Sequence, residues 1–176
     1  MQDHDVIYSD HRTEAPDEAR DSGLVCVLDL DSFLPFRLNR AATEMSRMLA
    51  TLYEGRFDID IPSWRVIATL GHAKNITAQD IVASTRTHKS TISRAVSSLI
   101  ERGWVERGVS DLDRRAQVLR FTTEGQAVYD QLVPIMLSFE DELKRTLGLR
   151  ACNNLDRGLK SLEGMLGLIG DDAPQN

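Results

Sequence analysis

The sequence predicts a mainly α-helical protein that contains one small β-hairpin. Apolar residues recur at the 3.6-residue spacing of an amphipathic helix in six segments of the chain. Only residues 104–121 change to the shorter period of strands, on either side of a charged turn. With 176 residues, 41% of them hydrophobic and 27% charged, the chain has the size and composition of one globular domain.

The first predicted helix covers residues 32–54. Ser32 can cap its start, and Pro35 falls in the first turn, where a missing N–H costs little. Gly55 is expected to stop the helix after Tyr53. Its apolar stripe consists of Leu34, Leu38, Ala41, Met45, Met48 and Leu52.

Three shorter helices follow. The second opens at Pro62, with proline in the first helical position, and ends at Gly71. Thr77 caps a short third helix. Thr87 caps the fourth, which Gly103 closes. The inward face of the fourth helix consists of Ile92, Ala95, Val96, Leu99 and Ile100.

A hairpin and two long helices complete the chain. The hairpin has strands at 104–107 and 117–121 joined by the charged turn. A long helix beginning at 123 contains Pro134, which should kink it. The last helix, after Gly148, carries an apolar stripe of Leu155, Leu159, Leu162, Leu166 and Ile169.

This order of elements predicts a winged helix-turn-helix, in which two short helices joined by a tight turn precede a β-hairpin. We expect residues 62–121 to form this lobe, and residues 32–54 and 123–170 to form a helical dimerisation region. The long first and last helices carry more apolar surface than so small a core can cover. Because such surplus is usually buried against a partner, the sequence predicts a homodimer.

Charge is divided unevenly along the chain. In total 21 Lys+Arg oppose 27 Asp+Glu, which alone would argue against a nucleic-acid-binding protein. Residues 1–31, however, hold nine acids and two bases, whereas residues 84–120 hold eight bases and four acids. We expect a mobile acidic arm at 1–31, a single domain at 32–170 and a polar tail at 171–176. Since local charge sets the field that a partner meets, the acidic total does not exclude nucleic acid.

Several function classes find no support in the sequence. No apolar run approaches the roughly 20 residues that span a bilayer, and the acidic N-terminus is unlike a signal peptide, so we expect a cytoplasmic protein without a membrane partner. The histidines and cysteines show no metal-ligand spacing, and no catalytic motif is present. The sequence therefore predicts no metal, no cofactor and no enzyme activity, with Cys26 and Cys152 as reduced thiols.

Two segments carry the most specific signal. They read THKSTISRAVSSLIERGWV at 87–105 and DLDRR at 111–115, followed by Leu119, Phe121-Thr122 and Glu124-Gly125. In this order and spacing they resemble the MarR family of winged-helix regulators, over about residues 33–169. The resemblance implies a homodimeric repressor that binds a pseudo-palindromic operator in double-stranded DNA and is released by a small-molecule effector.

The exposed start of the helix at 88–102 is the predicted DNA-reading surface, because a recognition helix places its N-terminal residues against base edges in the major groove. Arg94 is a planar, bidentate donor that suits guanine O6 and N7. The alternative is an ordinary solvated arginine. The other candidates, for bases or phosphates, are Thr87, His88, Lys89, Ser90 and Thr91.

The resemblance also gives the hairpin a role as a wing. In the family a wing arginine enters the minor groove, whose negative potential attracts a guanidinium where the groove is narrow. This role carries over to Arg114, with Arg115 on a phosphate or packed back and Asp113 holding the pair in place. Which arginine inserts stays open, and the alternative is a charged turn that only keeps the hairpin soluble.

An effector site is implied in the same way. In the family, a pocket between the DNA-binding lobe and the dimerisation region often takes a small aromatic anion. Residues 34–40 and 61–71 resemble a branch that responds to aromatic acids or their CoA thioesters. Arg37 and Arg40 could bind the carboxylate or phosphate, or else form interlobe or intersubunit salt bridges. Trp64 could stack on a ligand, although its apolar helical face favours the core.

Two alternatives belong to other function classes, and a third is a different regulator of the same family. A winged-helix protein-interaction module without a DNA target would show a flat salt dependence, because DNA binding releases counterions. A small enzyme would need an acid–base pair or a nucleophile in a pocket. A thiol-based redox regulator of this family would carry its cysteine near Phe36, whereas Cys26 lies about ten residues upstream and Cys152 has no visible resolving partner.

Overall fold

The computed structural model describes residues 27–73, 76–109 and 117–168. Within these ranges it contains six helices and one antiparallel pair of strands, which confirms the predicted fold class. The elements are α1 (Leu34–Phe57), α2 (Ile61–His72), α3 (Ala78–Thr85), α4 (Lys89–Glu101), β1 (Val105–Val109), β2 (Gln117–Phe121), α5 (Thr123–Leu147) and α6 (Leu149–Met165). Contacts divide them between a short N-terminal unit that ends at Arg37 and a main unit that begins at Leu38.

The described part of the N-terminal unit begins with a turn at Asp29. The Ser32 hydroxyl donates to the Asp29 carbonyl at 3.2 Å, and the Asp31 N–H donates to the Asp29 carboxylate at 3.1 Å. Ser32 thus lies in this turn, and α1 begins two residues later. Most of the expected acidic arm, residues 1–26, and the expected polar tail lie outside the described residues.

The end of α1 differs from the prediction. Gly55 was expected to stop the helix, but it lies inside α1, with nothing within 4 Å of the place that a Cβ would take. The helix ends at Phe57 because Asp58 adopts a left-handed backbone conformation with φ of 50°. A residue in this region cannot continue a right-handed helix. The expected stop at Gly55 was therefore wrong, and α1 ends at Phe57 instead of Tyr53.

Side-chain caps fix the starts of α2 and α3. The Asp60 carboxylate caps α2, which therefore begins at Ile61, one residue before the predicted Pro62. Thr77 caps α3 as predicted, and Asp80 reciprocates by accepting the Thr77 N–H at 3.0 Å. This capping box satisfies two backbone donors and defines where the helix-turn-helix begins.

The core of the main unit lies where α4 packs against α2 and α3. The inward face of α4 is buried as predicted at Ile92, Ala95, Val96 and Leu99. Burial of each large aliphatic side chain stabilises the fold by about 1.5–3 kcal/mol. The largest fully buried side chains are Tyr53, Val66, Ile67, Ile81, Ile92, Leu99, Val105 and Leu132.

In contrast, α6 has no buried residue in the single chain. The helix ends at Met165, before Leu166, which the sequence placed on its stripe. Ile169, the last predicted residue of the stripe, lies outside the described residues. Its apolar stripe remains exposed, with Leu155 at 49% and Leu159 at 40% of full exposure. Met48, on the stripe of α1, is 54% exposed.

An arginine side chain of β2 joins the two strands of the hairpin near the turn end of β1. β1 extends through Gly108, which the sequence placed in the turn. Arg120 explains the difference, because its Nε would lie 2.8 Å from a Cβ on Gly108. Its Nη2 donates to the Val109 carbonyl at 2.7 Å. Because Gly108 has no Cβ, the Arg120 guanidinium can pass over β1 at this position.

Gly125 sets the approach of α5 to the hairpin. Thr122 caps α5 by accepting the Gly125 N–H at 3.0 Å, and its hydroxyl donates to the Gly103 carbonyl at 2.6 Å. A Cβ on Gly125 would overlap the backbone carbonyl of Trp104. The close approach accounts for the glycine in the Thr-x-x-Gly pattern of the sequence.

We therefore expect Gly125→Ala to lower the free energy of unfolding by about 1–3 kcal/mol, because the obstructing atoms belong to the backbone. Urea denaturation at an unchanged m-value measures the loss. Gly158→Ala in α6 is the control, since a Cβ there meets nothing within 4 Å. The free energy of unfolding of this control should rise by up to about 1 kcal/mol, because alanine has a higher helix propensity than glycine. Equal midpoints for the two variants would contradict the packing explanation.

Candidate nucleic-acid interface

The outer face of α4 is polar and exposed. Three of the residues predicted to contact DNA lie on this face, namely Lys89, Ser90 and Arg94. Thr91 is half-buried at its edge. Ser93 and Ser97 belong to the same face and were missed. Their helical spacing of three and four residues from Ser90 and Arg94 could have found them.

The start of α4 differs from the prediction in its cap. His88, not Thr87, is the N-cap residue. Its Nδ1 accepts the Ser90 N–H at 3.4 Å and lies 2.9 Å from the Ser90 hydroxyl. An accepting Nδ1 places the ring proton of a neutral imidazole on Nε2, which is then a donor on an exposed side chain. His88 therefore combines a structural role with a polar group available at the helix start.

Thr87 is occupied by contacts within the protein. Its hydroxyl oxygen accepts a hydrogen bond from Arg65 Nη1 of α2 at 2.9 Å, and the hydroxyl donates to the Thr85 carbonyl at 3.2 Å. The residue is half-buried. The Arg65 contact joins α2 to the turn before α4 and so fixes the N-terminal end of α4 within the lobe.

Arg94 is exposed on the second turn of α4. Its Nε donates to the Ser90 carbonyl of the same helix at 3.4 Å. This long bond aligns the side chain with the helix and engages Nε only. The two Nη groups, which supply the planar fork for a base or phosphate, are not used by it.

The turn between α3 and α4 adds positive charge. Arg86, at the end of α3, has φ of 51° and is exposed. No sequence signal pointed to it, because glycine is the usual residue in this conformation. From 84 to 109 the chain holds five bases against two acids. The positive end of the α4 dipole lies in the same place, so the field at the helix start favours an anion.

The structure describes only the base of the wing. Arg107 on β1 is exposed and donates to the Gln117 side chain at 3.4 Å. The predicted wing residues Asp113, Arg114 and Arg115 lie in 110–116, outside the described residues.

A cavity of about 780 Å³ lies beside α4, between the end of α1 and the start of α2. Charged side chains of both signs line it, namely Glu54, Asp58, Asp60, Arg94 and Arg102. Arg102 follows the last residue of α4 and forms an ion pair with Asp58 at 2.7 Å. Arg94, the candidate for base reading, and Asp58, at the end of α1, thus line the same cavity.

The predicted effector residues lie in different settings. Arg37 is exposed in the N-terminal unit, and Arg40 is exposed on α1 in the main unit. Trp64 is half-buried against the core and stacks on Tyr53, with ring centroids 5.7 Å apart. Tyr53 is fully buried, and burial raises its pKa to about 12. Within the described part of the chain its hydroxyl has no hydrogen-bond partner.

Other chemistry finds little support in the described ranges. No group of three or more His, Cys, Asp or Glu residues there could hold a metal ion. None of the helices in the same ranges is long and apolar enough to cross a membrane. Cys152 is half-buried in the first turn of α6, with Sγ 3.7 Å from the Lys144 carbonyl. Cys26 lies outside the described residues.

Comparisons with known proteins agree with this geometry. The MarR family model matches residues 57–116, from the end of α1 into the wing. YwoH of Bacillus subtilis (strain 168), an uncharacterised HTH-type transcriptional regulator, is 29% identical over 87 residues. The match covers 49% of this chain and 63% of YwoH, less than two thirds of that relative.

Solved structures share the fold. A MarR/EmrR family regulator from Acinetobacter sp. ADP1 superposes with a TM-score of 0.72 at 23% identity, over 81% of this chain and all of the other. BpsR of Bordetella bronchiseptica, whose DNA binding is regulated by 6-hydroxynicotinic acid, superposes with a TM-score of 0.66 at 15% identity. That alignment covers 78% of this chain and 97% of BpsR. At these identities the likeness is one of fold.

The family match covers the helix-turn-helix and the start of the wing, and the solved regulators share the fold around it. Residues 57–116 thus match the MarR family, and the chain shares the winged helix-turn-helix fold of solved MarR-family transcriptional regulators.

Proposed function

We propose that the protein is a homodimeric, ligand-responsive repressor that binds a pseudo-palindromic DNA operator. The observation that carries the proposal is the outer face of α4, which is polar, basic and exposed at its N-terminal end. A helix presented in this way enters the major groove with its first residues against base edges. Residues 62–121 form the DNA-binding lobe in this proposal.

Each proposed contact has its own part in DNA binding. Arg94 reads a base, since its Nη fork matches the guanine edge. Lys89 supplies point charge to a phosphate, and the short side chains beside it, His88, Ser90 and Thr91, donate to phosphates or base edges. Thr87 supports the helix start through Arg65. In the wing, Arg114 enters the minor groove, with Arg115 and Asp113 beside it.

We expect Arg94→Ala to weaken operator binding by about 1–3 kcal/mol and to relax specificity at one base of each half-site. Lys89→Ala should weaken binding to all sequences alike and reduce the salt slope by about 1, because it removes one phosphate contact. Gel-shift titrations against the operator and random DNA, at several salt concentrations, measure both effects.

Arg145→Ala is the control for lost charge, because Arg145 is 71% exposed at the far end of α5 and pairs with Glu142. This substitution should change the Kd for the operator by no more than about twofold. Unchanged operator binding by Arg94→Ala would remove the base-reading role. Binding of the wild type that does not depend on salt would favour a protein-interaction module instead.

The dimer follows from the apolar stripes that the single chain leaves uncovered. Leu155 and Leu159 of α6 and Met48 of α1 are each at least 40% exposed. We infer that residues 32–54 and 123–170 pair with a second copy around a two-fold axis, which buries these stripes. Two recognition helices related in this way bind half-sites about 10 bp apart.

Leu159→Glu should therefore weaken dimerisation by about 100-fold or more, because it places an unpaired charge in an apolar interface. Sedimentation velocity over a concentration series measures the change. Ser161→Glu introduces the same side chain on the other side of α6 and should leave the dimer intact. A wild-type chain that stays monomeric at all concentrations would overturn the proposal.

An effector of the aromatic-acid class, free or as a CoA thioester, is the remaining part of the proposal. It is supported by the fold shared with BpsR, whose DNA binding 6-hydroxynicotinic acid regulates. Arg37 and Arg40 would pair with the carboxylate or phosphate, and Trp64 would border the ring. Binding releases DNA only if the effector prefers a dimer with wrongly spaced recognition helices.

Thermal-shift assays with 6-hydroxynicotinic acid, benzoate and benzoyl-CoA test this effector class. A ligand at 100 times its Kd stabilises the folded protein by about 2.7 kcal/mol, which raises Tm by several degrees. Arg40→Gln should abolish the shift, while Arg47→Gln, which removes the exposed partner of Glu44 on the same helix, should keep it. Absence of a shift with all three compounds would count against this class.

A further inference from the structure

Arg102 connects the end of α4 to the end of α1. Its Nη1 donates to the Phe57 carbonyl at 3.1 Å, and its Nη2 donates to Asp58 Oδ2 at 2.7 Å. The first acceptor is the last residue of α1, and the second is the residue at which the chain turns away. One planar guanidinium thus binds the terminus of α1 through two parallel donors, a geometry that an ammonium group cannot reproduce.

A third contact fixes the direction of this arginine. The guanidinium carbon lies 5.3 Å from the ring centroid of Trp104, the last residue before β1. The Arg102 side chain is 31% exposed and that of Asp58 is 96% exposed, so the bond to the Phe57 carbonyl is partly shielded from water and the ion pair lies at the surface. Stacking on the ring leaves the edge of the guanidinium directed to α1.

Asp58 has a left-handed backbone conformation, which glycine adopts most freely and which aspartate adopts more readily than most other residues. Its φ of 50° lies in the left-handed region, which glycine adopts freely and which a Cβ disfavours. The backbone alone would therefore be better served by glycine. What aspartate adds is the carboxylate, and that carboxylate is bound to Arg102.

The two ends of α4 are held by different parts of the protein. At the N-terminal end, Arg65 of α2 binds Thr87, so this contact stays within the DNA-binding lobe. At the C-terminal end, Arg102 binds the terminus of α1, a helix of the proposed dimerisation region. A change in the position of α1 therefore reaches the C-terminal end of α4 directly through Arg102.

We propose that Asp58 and Arg102 form a positioning link that sets the direction of α4 relative to α1, and through it the spacing of the two recognition helices. The inference rests on the proposed function, because spacing has meaning only in a DNA-binding dimer. Neither residue needs to touch DNA. The link determines which half-site separation the dimer accepts, and Arg94 determines which bases it reads.

The test compares wild type, Asp58→Gly, Arg102→Gln and the double variant on DNA of defined spacing. The wild type first selects its operator from a random DNA library. Affinities are then measured for this operator and for versions with the half-sites moved apart or together by 1 bp. Asp58→Gly suits this purpose because glycine accepts the backbone conformation, so we expect a urea midpoint no lower than that of the wild type.

We expect each single variant to reduce the preference for the selected spacing by at most about fivefold, the upper end of the range for an exposed ion pair. The double variant should lose no more than Arg102→Gln alone, since that variant already removes both contacts of Arg102 with the end of α1. Glu54→Gln is the matched control. It removes an acidic charge from the same cavity and leaves the Asp58–Arg102 pair in place, so its spacing preference should equal that of the wild type.

The outcomes separate this inference from the function on which it rests. A wild type that selects no DNA overturns both. A wild type with a spaced operator, together with an unchanged spacing preference in Asp58→Gly and Arg102→Gln, overturns the link alone. Equal losses in Glu54→Gln and Asp58→Gly would also overturn it, because the effect would then come from charge and not from position.

Discussion

The structure of the lobe depends on the burial of one side of α4. Ile92 and Leu99 are fully buried there, and together with Ala95 and Val96 they seat the helix against α2 and α3. Rotation of α4 about its axis would expose these side chains and bury Lys89 or Arg94 without a partner, which is costly for a charge. The apolar face therefore fixes the polar face, and the outward direction of the basic residues follows from core packing.

The same reasoning applied to α6 gives the opposite result. Its apolar residues follow the helical period as regularly as those of α4, yet none of them is buried in the single chain. Periodicity identifies a helix with two faces, but it does not say which molecule covers the apolar one. In α4 that surface comes from α2 and α3. For α6, the proposed function assigns this surface to a second copy, because a two-fold axis matches each stripe to itself.

The sequence was sufficient for the element order and for the inward face of α4, because both follow from local periodicity. It was insufficient where a distant residue decides a local conformation. Thr87 was a reasonable cap, but Arg65, 22 positions away, engages its hydroxyl, and His88 caps instead. Gly55 was a reasonable stop, but α1 ends at Phe57, just before Asp58, which Arg102 binds from 44 positions away. Neither partner can be recognised by spacing along the chain.

The arginines of this region show why charge counting alone cannot define the DNA surface. In the sequence, Arg94, Arg102 and Arg120 contribute equally to the basic balance of residues 84–120. In the structure, Arg102 and Arg120 donate to backbone carbonyls of Phe57 and Val109. They still contribute to the long-range field, but their donors are committed to the protein. Among the described residues, Arg94 has a single hydrogen bond, from Nε to its own helix. The proposed function therefore assigns base reading to Arg94, which has the fewest internal contacts, and positioning to Arg102, which binds the end of α1.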